Sequence, residues 1–201
     1  MEKTEYSAGM VKFPYWFVEF KKMISMLNEG MTFDEIKKKN LEDNIFSATT
    51  EDRAIMTYST VSKRAKTLNE AYIKLFPELD VTNQKLVLLI AIMKSDVLFF
   101  EFMYEVFREK LIMGIDDLEE KDFSIFLKNK QMQSERVAKW KDYTLKRLAG
   151  AYKTVLIESG VLENYVDGSR KIKKPIMDIS LEELLKENNQ GIYLNILQGV
   201  R

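Results

Sequence analysis

The chain has 201 residues, and its 31 basic residues balance 31 acidic residues, so the formal net charge is zero. Hydrophobic residues make up 46% of the chain, which supports a buried core and argues against disorder. The chain contains no cysteine and no histidine, which excludes disulfides, serine-histidine and cysteine-histidine catalysis, and the common zinc sites.

Three predicted helices come first. Apolar residues follow Pro14 at helical spacing until Gly30, which suits a helix end. Thr32 and Glu35 form a capping-box pattern at the start of a short second helix. Either Thr49 or Thr50 can cap a third helix that runs to about residue 68. Three helices, the middle one short, form the outline of a helix-turn-helix-like unit.

The next segments are strongly apolar. Residues 68–79 predict a short helix that ends near Pro77, because proline disfavours helix continuation. Two further helices are predicted over about 82–93 and 95–113, with Asp96 at the N-cap region of the second. A helix that is apolar nearly all round is buried, so we interpret this pair as the centre of the molecule.

The C-terminal part begins with the acidic segment 115–122, which carries five acids and one lysine. We predict that Asp122 caps one helix and that Ser134 caps a long helix ending at Gly160. Asp167-Gly168 then predicts a tight turn before the basic sequence SRKIKK. Two helices followed by a basic turn-rich segment match the order of a winged helix, and one more helix is expected after it.

These elements predict an all-α, compact multi-helix bundle with two helix-turn-helix-like units, the second with a winged character. The expected segments are an N-terminal lobe over 1–79, a central hydrophobic helix pair over 80–114, and a C-terminal lobe over 115–201. The N-terminus lacks a stretch of signal-peptide length, and the most apolar run, residues 86–93, is too short to span a bilayer. We therefore expect a cytoplasmic protein with no membrane association.

The third predicted helix separates apolar from polar residues. An α-helix advances about 100° per residue, so Ala54, Val61 and Ala65 cluster on one side. Cations mixed with hydroxyl groups lie opposite, and such side chains suit phosphates and base edges of DNA. The predicted DNA-binding residues of this helix are Arg53, Ser59, Thr60, Lys63, Arg64 and Thr67.

A second basic surface is predicted across residues 134–174, where ten basic residues outnumber five acidic ones. The acidic residues of 116–122 and 178–187 are expected to lie away from the basic helices. Such a separation of basic from acidic residues favours binding of a polyanion. The predicted DNA-binding residues here are Arg136, Lys139, Tyr143, Lys146, Arg147, Lys153, Arg170, Lys171, Lys173 and Lys174.

Other interpretations of these patterns remain open. Charged outer faces occur on any amphipathic helix, and the helix dipole favours basic residues near the C-terminal end of any helix. The basic faces could therefore have no ligand. The acidic segment lacks the glycine and ligand spacing of a calcium loop, so we expect a solvated linker and no metal site. A carboxylate-based nuclease lacks a recognisable motif. A protein-interaction adaptor, docking through the aromatic segment 96–107, is the main alternative.

Three long blocks of sequence carry a family resemblance. YSAGMVKFPYWFVE, MKSDVLFFEFMYEVFREKLIMG and SERVAKWKDYTLKRLAGAYKTVLIESG together resemble the BrxA family, a core component of bacteriophage-exclusion (BREX) defence systems. The similarity extends over roughly residues 6–165. It implies an all-helical cytoplasmic protein with helix-turn-helix elements that binds double-stranded DNA beside a methyltransferase, an ATPase and a phosphatase-like partner. It brings no catalytic residue, so we expect a non-enzymatic protein without cofactors.

Overall fold

The structure is a computed structural model that describes residues 5–12, 15–165 and 170–201. It confirms the predicted all-α class, because helices dominate and the described strands form one small sheet. The chain divides into two compact units. The first unit is Trp16–Ser95, and the second combines Asp96–Arg201 with the N-terminal segment that ends at Tyr15. The two helices of the predicted central pair therefore belong to different units.

The first unit contains five α-helices among its described residues: α1 (Phe17–Asn28), α2 (Phe33–Asp43), α3 (Glu51–Ala65), α4 (Glu70–Leu75) and α5 (Val81–Ser95). A 3-10 helix, Phe76–Glu78, follows α4 directly, so the short helix predicted over 68–79 is present, with its last turn wound as a 3-10 helix around Pro77. Asn69 caps α4, and Pro77 lies within the tighter 3-10 turn.

Local capping chemistry explains where the first helices begin and end. Gly30 has φ +92°, a conformation that costs glycine little, and it follows α1 as predicted. The Thr32 backbone N–H donates to the Glu35 carboxylate at 2.7 Å, and the Thr32 hydroxyl accepts from the Glu35 N–H, which confirms the capping box. Thr50, the second of the two candidates, caps α3.

The core of the first unit lies between α1, α3 and α5. Phe20 of α1 and Val61 of α3 are fully buried, as is nearly every residue of α5 from Asn83 to Met93. The buried Asn40 side chain of α2 donates to the backbone oxygen of Ala54 at 3.0 Å. This hydrogen bond joins α2 to α3 and fixes the seven-residue connector between them.

The second unit begins with one continuous helical stretch made of α6 (Val97–Phe102), a π-helical turn (Met103–Phe107) and α7 (Arg108–Ile112). Asp96 caps α6, as predicted, because its carboxylate accepts from the Phe99 N–H at 3.0 Å. The remaining helices are α8 (Glu120–Gln133), α9 (Glu135–Ala138), α10 (Asp142–Glu158), α11 (Ile179–Glu187) and α12 (Gly191–Gln198).

Aromatic side chains form the core of the second unit. Phe102 of α6 stacks on Phe123 of α8, with ring centroids 4.8 Å apart, and contacts Tyr152 of α10 at 5.4 Å. Phe99, Phe102 and Phe107 are all fully buried. The aromatic segment 96–107 is therefore mainly core, and the exposed docking patch predicted for it is not observed.

A buried charged network supports the π turn. The Lys130 ammonium, on a side chain that is only 6% exposed, lies 2.6 Å from the carboxylates of both Glu101 and Glu105. The Tyr6 hydroxyl donates to Glu101 at 2.8 Å, and burial with this hydrogen bond raises the pKa of Tyr6 to about 12. The N-terminal segment is thereby attached to α6 and α8.

The start of α8 differs from the prediction. The helix begins at Glu120, and Asp122 is the third residue of its first turn rather than its cap. The Asp122 carboxylate instead accepts from the backbone N–H of Glu119 at 2.7 Å and pairs with Lys110 at 2.8 Å. An acid within the first turn stabilises the positive end of the helix dipole, so the sequence pattern was compatible with either position.

The long helix predicted over 134–159 is interrupted. Ser134 does cap a helix, but α9 ends at Ala138 and α10 begins only at Asp142. The Gln131 side chain donates to the backbone oxygen of Trp140 at 3.0 Å, and Lys141 adopts an extended backbone. Gly160, with φ +80°, follows the end of α10 as predicted.

A small sheet follows α10. Strand β1 (Leu162–Asn164) pairs antiparallel with β2 (Arg170–Ile172), in the register Leu162 to Ile172. The other side of β2 contacts the acidic segment, because the Leu118 N–H donates to Arg170 and the Ile172 N–H donates to Asp116. The predicted Asp167-Gly168 turn lies outside the described residues.

Candidate nucleic-acid interface

The first part of α10 presents cations to solvent. Leu145 and Leu148 are buried, whereas Tyr143, Lys146 and Arg147 are exposed. Residues three and four apart share a helix face, so these three side chains lie together. The Arg147 guanidinium lies 5.7 Å from the centroid of the Tyr143 ring, and Tyr143 is 69% exposed. This geometry leaves an aromatic face and two cations available to a ligand.

The turn before α10 adds further positive charge. Lys139 follows α9 and is exposed. Lys139, Lys146 and Arg147 form no ion pair with any described residue. We call these three residues the free cations of the α10 region. The exposed Lys141 was not predicted from the sequence, although it belongs to the same basic run. One continuous helix was assumed there, and Lys141 lay on neither its apolar nor its basic face. In the structure Lys141 lies at the break before α10.

Other predicted cations are paired with carboxylates. Lys153 and Arg170 both contact Glu120, the latter at 3.4 Å. The hydrogen bond that Lys153 donates is the main cause that lowers the pKa of the Glu120 carboxyl. Arg136 pairs with Glu5 of the N-terminal segment. These cations are therefore partly neutralised within the second unit.

The base of the hairpin repeats this arrangement. Lys171 lies 3.2 Å from Asp116 and 2.7 Å from Asp117, and these hydrogen bonds raise the pKa of its ammonium group. Lys173 lies 2.7 Å from Glu163. The expectation that the 116–122 acids lie away from the basic surface is wrong, because the strand-like pairing with β2 brings them beside it.

One cation of the SRKIKK segment differs from its neighbours. Lys174 is exposed and forms no ion pair with the residues that the structure describes. It is the second residue after β2 and the last residue of the segment that was predicted to contact phosphates. Within this segment Lys174 could therefore bind a phosphate directly, whereas Lys171 and Lys173 already form ion pairs with carboxylates.

Helix α3 of the first unit exposes only part of its predicted surface. Arg53, Ser59 and Lys63 are exposed, and Thr60 and Thr67 are half-buried. Arg53 and Lys63 form no ion pair within the described part of the chain. Ile55 and Met56, which the sequence reasoning did not select, are exposed on the same helix.

Arg64 is the exception on α3, because it is only 4% exposed. It lies three residues after Val61 and one before Ala65, both fully buried, so it falls at the edge of the apolar face. Its backbone oxygen accepts from the Thr67 hydroxyl at 2.7 Å. The predicted contact between Arg64 and DNA conflicts with this burial, and a structural role replaces it.

Neither a membrane span nor a metal cluster is found among the described residues. No helix there is both long and apolar enough to cross a bilayer. No group of three or more acidic side chains in the described ranges is arranged to hold a metal ion. The carboxylates of residues 116–120 contact lysine and arginine instead.

Comparison with known proteins gives one consistent family. The family model described as BrxA matches residues 4–189. The BREX protein BrxA of Bacillus cereus (strain H3081.97) is 41% identical over 199 residues, and the alignment covers 99% of each chain. A crystal structure of an uncharacterized protein from Magnetospirillum magneticum has the same fold, with a TM-score of 0.80 at 19% identity, covering 96% of this chain and 98% of that one. Because the family model and the relative both extend over nearly the whole sequence, the chain belongs to the BrxA family.

Proposed function

We propose that this protein is a non-catalytic, double-stranded-DNA-binding component of a BREX phage-defence system. Membership of the BrxA family supports the defence role, since the Bacillus cereus relative is a BREX protein. The free cations of the α10 region carry the DNA-binding part of the proposal. Lys139, Lys146 and Arg147 are exposed and unpaired with any described carboxylate, and Arg147 lies beside the exposed ring of Tyr143.

The order of elements around these residues supports the same function. The acidic strand-like segment, α8, the short α9, α10, β1 and β2 follow one another in an order that resembles a winged helix. In helix-turn-helix proteins the recognition helix enters the major groove, and in this proposal α10, the long helix before the hairpin, takes that role. Lysine and arginine on such a helix contact phosphates and guanine edges, and tyrosine donates to phosphates.

Helix α3 provides a second contact in this proposal. Arg53 and Lys63 would bind phosphates, with Ser59 and Thr60 as hydrogen-bond donors beside them. The Thr67 hydroxyl already donates to the Arg64 backbone oxygen, so it could reach DNA only as an acceptor or after releasing that bond. Paired cations would contribute less, because DNA must compete with carboxylates already in place. The proposed partners are duplex DNA and the methyltransferase, ATPase and phosphatase-like components of the system, in the cytoplasm, with no membrane contact and no cofactor.

A salt series tests the DNA-binding function directly. Fluorescence anisotropy with a labelled duplex of about two helical turns should show binding whose log affinity falls linearly with log salt. Lys146→Glu with Arg147→Glu should weaken binding strongly and reduce this slope. Equal affinity of the double variant and the wild type, with unchanged circular dichroism, would contradict the assignment of α10.

A protein-interaction adaptor is the second candidate function. The segment that leads from β2 into α11 supports it, because Ile176 is 88% exposed and Ile179, the first residue of α11, is 74% exposed. Two nearly bare isoleucines three residues apart suit a protein contact. Size-exclusion chromatography separates the two functions: a protein that ignores duplex but co-elutes with another defence component would favour the adaptor.

A further inference from the structure

A cleft of about 460 Å³ lies between α8 and α10 in the second unit. Its floor consists of Leu127 of α8 with Leu145 and Ala149 of α10, all of which are buried. Ala149 carries only a methyl group, so it leaves space that a larger side chain would fill. The volume lies within the usual range of small-molecule sites, about 300–1,000 Å³.

Ion pairs border the cleft towards its two ends. Lys128 pairs with Asp142 at 2.6 Å, and Glu120 pairs with Lys153. Lys128 and Glu120 are eight residues apart on α8, which corresponds to about 12 Å along the helix. Both pairs hold the side chains of the two helices together across the opening.

Lys146 lies between these ion pairs along α10. It lines the cleft, is exposed, and forms no ion pair with a described residue. It is close enough to Glu120 to help lower the pKa of that carboxyl, after the larger effects of Lys153 and Arg170. The three lysines and two carboxylates of the lining leave a net charge of one positive unit, which Lys146 supplies.

We propose that this cleft binds a small apolar molecule that carries one negative charge. The apolar body lies over Leu127, Leu145 and Ala149, and the carboxylate or sulfonate group pairs with Lys146. A neutral molecule gains only the apolar contact, and a multiply charged anion meets repulsion from Glu120 and Asp142. The apolar floor and the single uncompensated cation thus define the ligand class.

Two fluorescent probes test this site on the full-length protein. The first is 8-anilinonaphthalene-1-sulfonate, which has one negative charge, and the second is N-phenyl-1-naphthylamine, which is similar but neutral. The wild type should bind the sulfonate saturably at one site, and the amine more weakly. Lys146→Gln should weaken the sulfonate about tenfold and leave the amine unchanged, as expected for one ion pair of ~1.4 kcal/mol.

Variants of the floor and of a matched lysine complete the test. Ala149→Phe should abolish binding of both probes by filling the cleft. Lys141→Gln, which removes an exposed cation outside the cleft, should change neither. Sulfonate binding that survives both Lys146→Gln and Ala149→Phe, or no saturable binding to the wild type, would overturn the proposal. If Ala149→Phe fails to fold, the exposed Lys146→Gln variant decides the outcome.

Competition with DNA is a consequence that rests on the proposed function. Because Lys146 also belongs to the free cations of the α10 region, duplex should displace the sulfonate. If duplex binds but leaves the probe in place, the predicted competition is wrong, and the cleft is still a ligand site separate from the DNA surface. If duplex does not bind at all, the proposed function fails, and the probe titration still stands by itself.

Discussion

The α10 region and the base of the β1–β2 hairpin are both rich in cations, but they differ in what surrounds those cations. Lys139, Lys146 and Arg147 have no described carboxylate partner, whereas Lys171 lies between Asp116 and Asp117 and Arg170 reaches Glu120. A polyanion can use the first set directly. The second set offers little net field, since its charge is balanced within a few ångströms. Counts of basic residues therefore overstate the surface available to DNA.

The largest expected effect comes from removing the free cations. Lys139→Gln, Lys146→Gln and Arg147→Gln together should lower duplex affinity about 100-fold, at ~1 kcal/mol per contact. The slope of log affinity against log salt should also become shallower by about 3. Anisotropy titrations from low to moderate salt measure both quantities.

The matched control removes paired cations. Lys171→Gln with Lys173→Gln should lower duplex affinity by less than about threefold. In the free protein these two lysines are already paired with carboxylates, so they have little positive charge to offer a phosphate. Equal losses from the two sets would show that ion pairing in the free protein does not decide which cations bind.

Arg64 and Lys63 provide a second comparison, between neighbours on α3. Arg64→Gln should lower the free energy of unfolding by about 2 kcal/mol, because it replaces a buried, closely packed side chain with a shorter one. Lys63→Gln should change it by less than about 0.5 kcal/mol, because Lys63 is exposed. Urea denaturation measures both values. A stable Arg64→Gln variant with impaired DNA binding would restore the original prediction for Arg64.

Releasing the paired cations should strengthen DNA binding. Asp116→Asn, Asp117→Asn and Glu120→Gln together free Lys171, Lys153 and Arg170 and remove three anions from the surface. Duplex affinity should rise about fivefold, a gain of ~1 kcal/mol. Glu183→Gln, which removes an exposed acid of α11, serves as the control and should leave affinity unchanged. No gain in the triple variant would show that the hairpin base does not face the duplex.

The smallest effect concerns pH. The pKa of Glu120 is lowered in the folded state from its ordinary 4.5, mainly by the hydrogen bond from Lys153. The ion pair therefore stabilises the fold above about pH 4.5, and that stabilisation is lost as pH falls through the lower folded value. The urea midpoints of the wild type and Glu120→Gln should differ at pH 7 and converge once the pH falls below the lowered pKa of Glu120 in the folded state. A difference that persists in acid would exclude the ion pair as its cause.

Local signals in the sequence were sufficient for much of the fold. The capping box of Thr32, the cap at Asp96 and the helix ends at Gly30 and Gly160 depend on residues close in sequence, and the structure confirms them. The all-α class followed from composition and helical spacing. The break before α10 was not predicted, because it depends on the Gln131 side chain rather than on a proline or glycine.

The candidate site was less accessible from sequence. The approach of Asp116 and Asp117 to Lys171 joins residues more than fifty positions apart, so no local pattern reveals it. The burial of Arg64 was missed for a different reason. A residue at the edge of an apolar face can turn inward or outward, and only the neighbouring packing decides between them.

The π turn at Met103–Phe107 has a consequence for how this chain tolerates insertions and deletions. A π turn contains one residue more than regular α-helical winding requires. Deleting a single residue there would let the helix wind regularly, and because the wide turn absorbs that residue, α6 and α7 would largely keep their relative orientation. A deletion between Glu101 and Glu105 would leave them three residues apart, still on one helix face for Lys130. Loss of one residue should therefore be tolerated better within this turn than within α6 or α7, where the following residues would rotate by about 100°.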